Sequence, residues 1–202
     1  MDTTPGRRER KRRQTADLLV DAAFELFEAH GYEAVTMEQI AVAADVAKGT
    51  LYNHFPVKEA LLRHYFHRQF AEQGPELQEK LRRQPDTIKR IALLLTHAAA
   101  WAEQHRAYMP HYLQYRLGNT IRAGAEEERS GTDIVFAHLI ADAQQADRLR
   151  KDVDTAQLVH YFRYLYLAAF TRWLQGPDIK LADELAAMLD LFVAGAGKGE
   201  AA

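Results

Sequence analysis

Cysteine is absent from all 202 residues. That excludes disulfides, thiolate catalysis, iron–sulfur clusters and cysteine-rich zinc sites, and it fits a reducing compartment. Period-two alternation of apolar and polar residues is almost missing as well, so strands have no signature. Long hydrophobic runs are lacking: the longest, 91–102 and 158–174, are interrupted by His97 or by Arg163 and Arg172 and fall short of the ~20 residues a membrane-spanning helix needs. The basic N-terminus is not followed by the apolar core of a signal peptide, because Thr15-Ala16-Asp17 opens an amphipathic segment. These absences predict a soluble, cytoplasmic chain with no membrane partner. Catalytic signatures are missing too: no nucleophile elbow, phosphate-loop glycine pattern, zinc-protease helix or paired acids in a catalytic segment. Neither an enzyme nor a cofactor is expected. His64 with His67, and His105 with His111, are the only spacings that suggest a metal, and no carboxylate or cysteine set completes either shell, so no metal is expected.

What is present is helical. The composition, 48% hydrophobic and 27% charged, is that of a folded globular chain, and apolar spacings of three and four recur from Leu18 to Val193. An all-α fold of about nine helices follows. The first helix carries Leu19, Ala22, Ala23, Leu26 and Phe27 on one face and stops at Gly31. Thr36 and Gln39 have the spacing of a capping box at the start of the second helix. A third, 47–54, is ended by Pro56, and a fourth, 58–70, is predicted to end before Gly74-Pro75. Further helices are predicted at 76–83, 86–104, 107–117, 133–146, 155–174 and 181–194. The implied organisation is a basic arm over 1–13, a small module over 14–58, a connecting helix over 59–74, a larger helical domain over 75–195 and a frayed tail over 196–202.

Net charge is only −2, so affinity for a polyanion has to come from where the cations sit. Arg7, Arg8, Arg10, Lys11, Arg12 and Arg13 form the one dense basic run, suited to a phosphate backbone or an adjacent minor groove. Behind it, 36–55 has the spacing of a helix-turn-helix. Val46, Leu51 and Phe55 point toward Ile40, Phe27 and Leu61, which leaves Lys48, Gly49, Thr50, Tyr52, Asn53 and His54 on or beside the outer face. Gly49 lets backbone approach a duplex closely, and Thr50 can bond a base edge or touch a thymine methyl. Thr36, Lys48, Tyr52 and His54 are placed for phosphates, and Lys58 would be a further phosphate clamp.

Gly31-Tyr32, Thr36 to Ala44, Val46-Ala47-Lys48-Gly49-Thr50-Leu51-Tyr52-Asn53-His54-Phe55 and Lys58-Glu59-Ala60-Leu61-Leu62 resemble the TetR family of regulators. The likeness covers roughly residues 12 to 65. It implies a homodimeric regulator of double-stranded DNA, usually a repressor released from a pseudo-palindromic operator when a small molecule enters the C-terminal domain. Two positions depart from the pattern: Asp45 stands where the turn often has glycine, and Ala47 where the third helix often begins with serine. Aspartate tolerates the left-handed conformation, so the turn should survive. Ala47 removes a capping hydroxyl, a loss of ~1 kcal/mol, and with it a phosphate contact.

Beyond Gly74, rings and histidines are dense. His97, Trp101, Tyr112, Tyr115, Phe136 and Tyr164 come from four predicted helices and are the candidate effector lining, implying an aromatic or amphipathic small molecule. Leu158, Phe162, Leu165, Ala169 and Trp173 make one stripe, and Leu185, Met188, Leu189 and Phe192 another. Two copies of the pair would form a four-helix bundle at a dimer interface, although the same stripes fit an intramolecular core and spacing alone does not separate the two. A helical regulator that works through protein partners, without a small-molecule effector, is the alternative of a different class.

Overall fold

The computed structural model describes residues 6–122 and 131–196. Among them the secondary structure is helical throughout: α1 Arg7–His30, α2 Met37–Ala43, α3 Lys48–His54, α4 Lys58–Arg83, α5 Thr87–Gln104, α6 Met109–Arg122, α7 Gly131–Gln145, α8 Thr155–Leu174 and α9 Leu181–Ala196, with one 3-10 turn at Arg106–Tyr108 before α6. The chain forms two compact units, Met1–Gln69 and Phe70–Ala202.

Two boundaries differ from expectation. The basic run is not a separate arm, because α1 already begins at Arg7 with Gly6 as its N-cap. Arg, Lys, Glu and Gln are good helix formers, and no glycine or proline intervenes between Gly6 and Gly31 to stop propagation. Nor does a break fall at Gly74-Pro75: α4 runs through Pro75 to Arg83 and absorbs the predicted helix at 76–83. Proline deprives the Ala71 carbonyl of its helical donor, but Ala71 and Pro75 are both exposed, so water satisfies that carbonyl. The predicted break over 124–131 and the tail beyond 196 fall mostly or wholly outside the described residues.

In the first unit, Leu19 and Phe27 from α1, Ile40 from α2, Leu51 from α3 and Leu61 and Leu62 from α4 are buried together. Phe24 stacks on Tyr65 with ring centroids 3.6 Å apart. Burying one such leucine contributes about 2 kcal/mol, enough to dictate which face of the seven-residue α3 turns inward. Gly31 ends α1 at φ 83 and caps it through its N–H on the Phe27 carbonyl at 2.8 Å. In the second unit α5 packs on α7 and α9, and α8 packs on α7 and α9, around Ile91, Leu94, Ile140, Phe162, Trp173 and Leu181. Arg106 donates to the carbonyls of Trp173 and Gly176 at 3.0 and 2.9 Å, supplying donors to the C-terminal end of α8. The buried Gln144 amide donates to the Arg150 and Val153 carbonyls at 2.8 and 2.9 Å and fixes the α7–α8 connection.

Candidate functional site

In the first unit α2 and α3 present a polar surface, and each of its edges has a local cause. At the start of α2 the Thr36 hydroxyl accepts from the Gln39 N–H at 3.2 Å, while the Gln39 side chain accepts from the Thr36 N–H at 2.7 Å. Two terminal donors are thereby satisfied. The turn that follows uses Asp45 at φ 51, and the Val46 N–H closes on the Ala41 carbonyl at 3.0 Å. Ala47 then serves as N-cap of α3 in an extended conformation, φ −64 and ψ 141, with no side-chain cap. Leu51 and the flanking Phe55 are buried. On the opposite side Lys48, Gly49 and Asn53 are exposed, Tyr52 is 38% exposed, and Thr50 and His54 are half-buried at the margin. Apart from its chain neighbours and its own helix backbone, nothing lies within 4 Å of where a Cβ on Gly49 would stand, so the room left by this glycine faces outward and is open to a partner.

The charges on this surface are arranged less simply than the sequence suggests. Lys48 is ion-paired with Glu38 in the first turn of α2, and the Tyr52 hydroxyl donates to the same carboxylate oxygen at 3.4 Å. The Lys48 bond holds the Glu38 carboxyl below its ordinary range, and Glu38 in turn raises the Lys48 ammonium; both stay charged at neutral pH. Lys58 points elsewhere. Its ammonium donates to the Tyr32 and Val35 carbonyls at 2.6 and 2.9 Å and lies 4.1 Å from the Tyr32 ring centroid. It ties α4 to the α1–α2 connection, because those loop carbonyls have no helical donor and an ammonium supplies one. Arg12 and Arg13 are exposed near the start of α1. His54 is pushed below its ordinary range by burial, then by Arg12 and His64. His64 itself is bonded to Asp17 at 2.9 Å.

In the second unit the six sequence-selected lining residues divide. Tyr112 and Phe136 are buried and meet around a group that sequence reasoning did not single out. Arg116 pairs with Asp133 at 2.6 Å, both side chains largely buried, and its guanidinium lies 5.7 Å from the Tyr112 ring centroid. Phe136 lies 5.7 Å from the Tyr166 ring and 4.9 Å from the Phe162 ring. Burial opposes the charge on Arg116, but Tyr112 and Asp133 outweigh it and leave the guanidinium above its ordinary range. Burial likewise pushes the Tyr166 hydroxyl up. The arrangement sets one fixed cation, one carboxylate and two phenols against phenylalanine. Elsewhere, His97 bonds Gln73 at 2.8 Å, Trp101 stacks on His105, Tyr115 is half-buried, and Tyr164 is 39% exposed beside His160. A cleft of about 320 Å³ lined by Gln78, Leu81, Arg82, Arg90 and Leu139 contains none of the six.

The two stripes assigned to a dimer interface are already covered within the single chain. Leu158, Phe162, Ala169 and Trp173 of α8 and Leu185, Met188, Leu189 and Phe192 of α9 are buried, and Leu165 is half-buried. Phe162 meets Phe192 edge to face at 5.1 Å. These residues belong to the core of the second unit, where α8 and α9 pack on each other and also on α7 and α5. Apolar groups left outside include Tyr161 at 52%, Tyr164, and Leu191 at 65% exposure, together with exposed alanines such as Ala168 and Ala187.

Four participants gave no usable signal in the sequence. Glu38 is an ordinary first-turn acid until α3 folds back beside it. Arg116 and Asp133 lie on separate helices, beyond any spacing rule. Tyr166 stands one turn after Phe162 and is indistinguishable there from core packing.

Residues 19–65 match the family model described as bacterial regulatory proteins, tetR family. Over 55 residues, 27% of this chain and 24% of the other, the sequence is 53% identical to the HTH-type transcriptional regulator TcmR of Streptomyces glaucescens; the matched part is thus about a quarter of that relative's length. Over 169 residues, 83% of this chain and 74% of the other, it is 27% identical to the HTH-type transcriptional repressor KstR of Rhodococcus jostii. The crystal structure of Thermus thermophilus FadR, a TetR-family transcriptional repressor in complex with lauroyl-CoA, superposes with a TM-score of 0.77 at 27% identity, covering 92% of this chain and 97% of that one.

Proposed function

Because the chain belongs to the TetR family of transcriptional regulators, we propose that it is a ligand-responsive repressor that leaves a pseudo-palindromic operator when a small amphipathic molecule binds its C-terminal unit. The observation that carries this reading is the outer face of α3. Lys48, Gly49, Tyr52 and Asn53 are exposed, with Thr50 at the margin, over an inward Leu51. A seven-residue helix with one polar, donor-rich side suits a major groove, where Thr50 reads a base edge while Thr36, Lys48, Tyr52 and His54 meet phosphates. Arg12 and Arg13, carried on the first turns of α1, add sequence-independent attraction. A DNA partner supports a cytoplasmic location.

The interior of the second unit supports an effector with an apolar body and a polar or anionic end. Arg116, Tyr112 and Tyr166 offer a cation and hydroxyls next to Phe136 and Phe162. An acyl-CoA such as that held by the Thermus protein has this character. A homodimer would use what α8 and α9 leave outside, Tyr161, Tyr164, Ala168, Ala187 and Leu191, and its two-fold axis would match two half-sites.

Duplexes enriched from random or genomic DNA supply the test. Tyr52→Ala is expected to weaken binding to all of them, and Thr50→Ala to change preference at one base position; unchanged binding by both variants refutes the interface. Lauroyl-CoA and free laurate, titrated with and without the selected duplex, test the sensory half. Linkage requires DNA to weaken effector binding by the factor by which effector weakens DNA binding, and the absence of coupling for every amphiphile tried would reject an effector of this class.

A further inference from the structure

On the surface assigned to DNA, the Lys48 cation already has an anion. The Glu38 carboxylate pairs with the Lys48 ammonium, accepts from the Tyr52 hydroxyl at 3.4 Å, and thereby draws together two side chains of α3 that stand four residues apart. Lys48 also lies 5.7 Å from the Tyr52 ring centroid. All three side chains are well exposed. An ion pair this open to water is weak and exchangeable, so a phosphate oxygen can take over both donors. The carboxylate then remains beside a polyanion with nothing to neutralise it.

We propose that Glu38 is a built-in competitor for the DNA backbone: it occupies Lys48 and Tyr52 as a phosphate would, keeps them aligned, and lowers the affinity of the surface for any duplex. This rests on the DNA-binding reading above and extends it to a residue outside the set chosen for contact. With the pair formed, the Lys48 site contributes no net charge, so one cation per protomer is withheld from counterion release. Each neutralised phosphate changes the slope of log K against log salt by ~0.9, worth roughly 8-fold in affinity at 0.1 M salt relative to 1 M. The consequence is restraint on non-specific binding, which matters where unselected sequence greatly outnumbers the operator.

The test uses the full chain, a fluorescent duplex of unselected sequence, and a salt series read by anisotropy for wild type, Glu38→Gln, Lys48→Met and the double variant. The glutamine amide keeps an acceptor for Tyr52 but carries no charge. The expected result for Glu38→Gln is tighter binding by up to roughly 8-fold per protomer at 0.1 M salt, a slope steeper by ~0.9 per protomer, and convergence with wild type toward 1 M. Expressed in the Lys48→Met background, the same substitution is expected to gain much less and to steepen the slope little, since no ammonium is left to release. Binding indistinguishable from wild type overturns the proposal. So does an equal gain in both backgrounds, which would make the carboxylate a source of diffuse repulsion only. If wild type binds neither this duplex nor any enriched by selection, the failure lies with the DNA-binding reading itself.

Discussion

Ala47→Ser should stabilise the first unit and strengthen its hold on DNA, and the size of the effect follows from the geometry at the start of α3. Ala47 is the N-cap, its φ −64 and ψ 141 already those of a capping residue, and it offers no side-chain acceptor. The Thr50 N–H falls back on the Ala47 carbonyl at 2.8 Å, while the Gly49 N–H at the second helical position is left to solvent or a ligand. A serine Oγ reaches the second or third N–H of such a helix, and exchanging alanine for serine at an N-cap is worth about 1 kcal/mol. For a unit of this size that corresponds to a rise in melting temperature of roughly 4–8 °C. Ala47 is exposed, so no core adjustment offsets the gain. Thermal unfolding followed by circular dichroism reads the stability, and anisotropy against a selected duplex reads the binding. Ala47→Asp separates the two roles: it caps as well as serine and favours the helix dipole, yet it should weaken DNA binding by setting a negative charge against phosphate. A serine variant that melts at or below the wild-type temperature would refute the reasoning, and so would an aspartate variant that binds DNA as tightly as the serine one.

Asp133→Asn removes the carboxylate charge paired with the buried Arg116 cation and is expected to lower the stability of the second unit by about 3 kcal/mol in denaturant titration, whereas combining Arg116→Met with Asp133→Leu should recover most of the loss. Leu191→Glu, at a position 65% exposed in the protomer, should shift sedimentation from dimer to monomer with helicity unchanged; a stable dimer carrying this substitution places the interface elsewhere. His54 titrates below its ordinary 6.5 because of burial, then Arg12 and His64. The unfolded chain therefore takes up the proton first, so stability is intact above about pH 6.5 and declines as pH falls below it. Denaturant midpoints of the first unit should be level above about pH 6.5 and fall below it, and His54→Asn should reduce that fall.

The local features of the first unit were legible because they act within a turn or two of chain. Gly31 ends α1, Thr36 and Gln39 box the start of α2, Asp45 takes the left-handed turn and Pro56 follows the end of α3. Each is a statement about one backbone group and its nearest side chain. The inward placement of Leu51 and Phe55 also followed, since a helix of seven residues has only one apolar side to hide. Where a rule depended on what surrounds it, sequence misled: Pro75 does not break α4, because the carbonyl it orphans is exposed to water.

What the sequence determined by itself is the helical class, the short third helix and the side of it that faces out, since periodicity and capping are encoded in neighbouring residues. Tertiary structure alone decided that Lys58 braces the Tyr32–Val35 loop, that Glu38 holds Lys48 and Tyr52, that Arg116 finds Asp133, and that the stripes of α8 and α9 cover each other. Each of these pairings joins residues on different elements. An apolar face or a charge specifies the kind of partner it needs, but which partner it meets is fixed only when the helices pack.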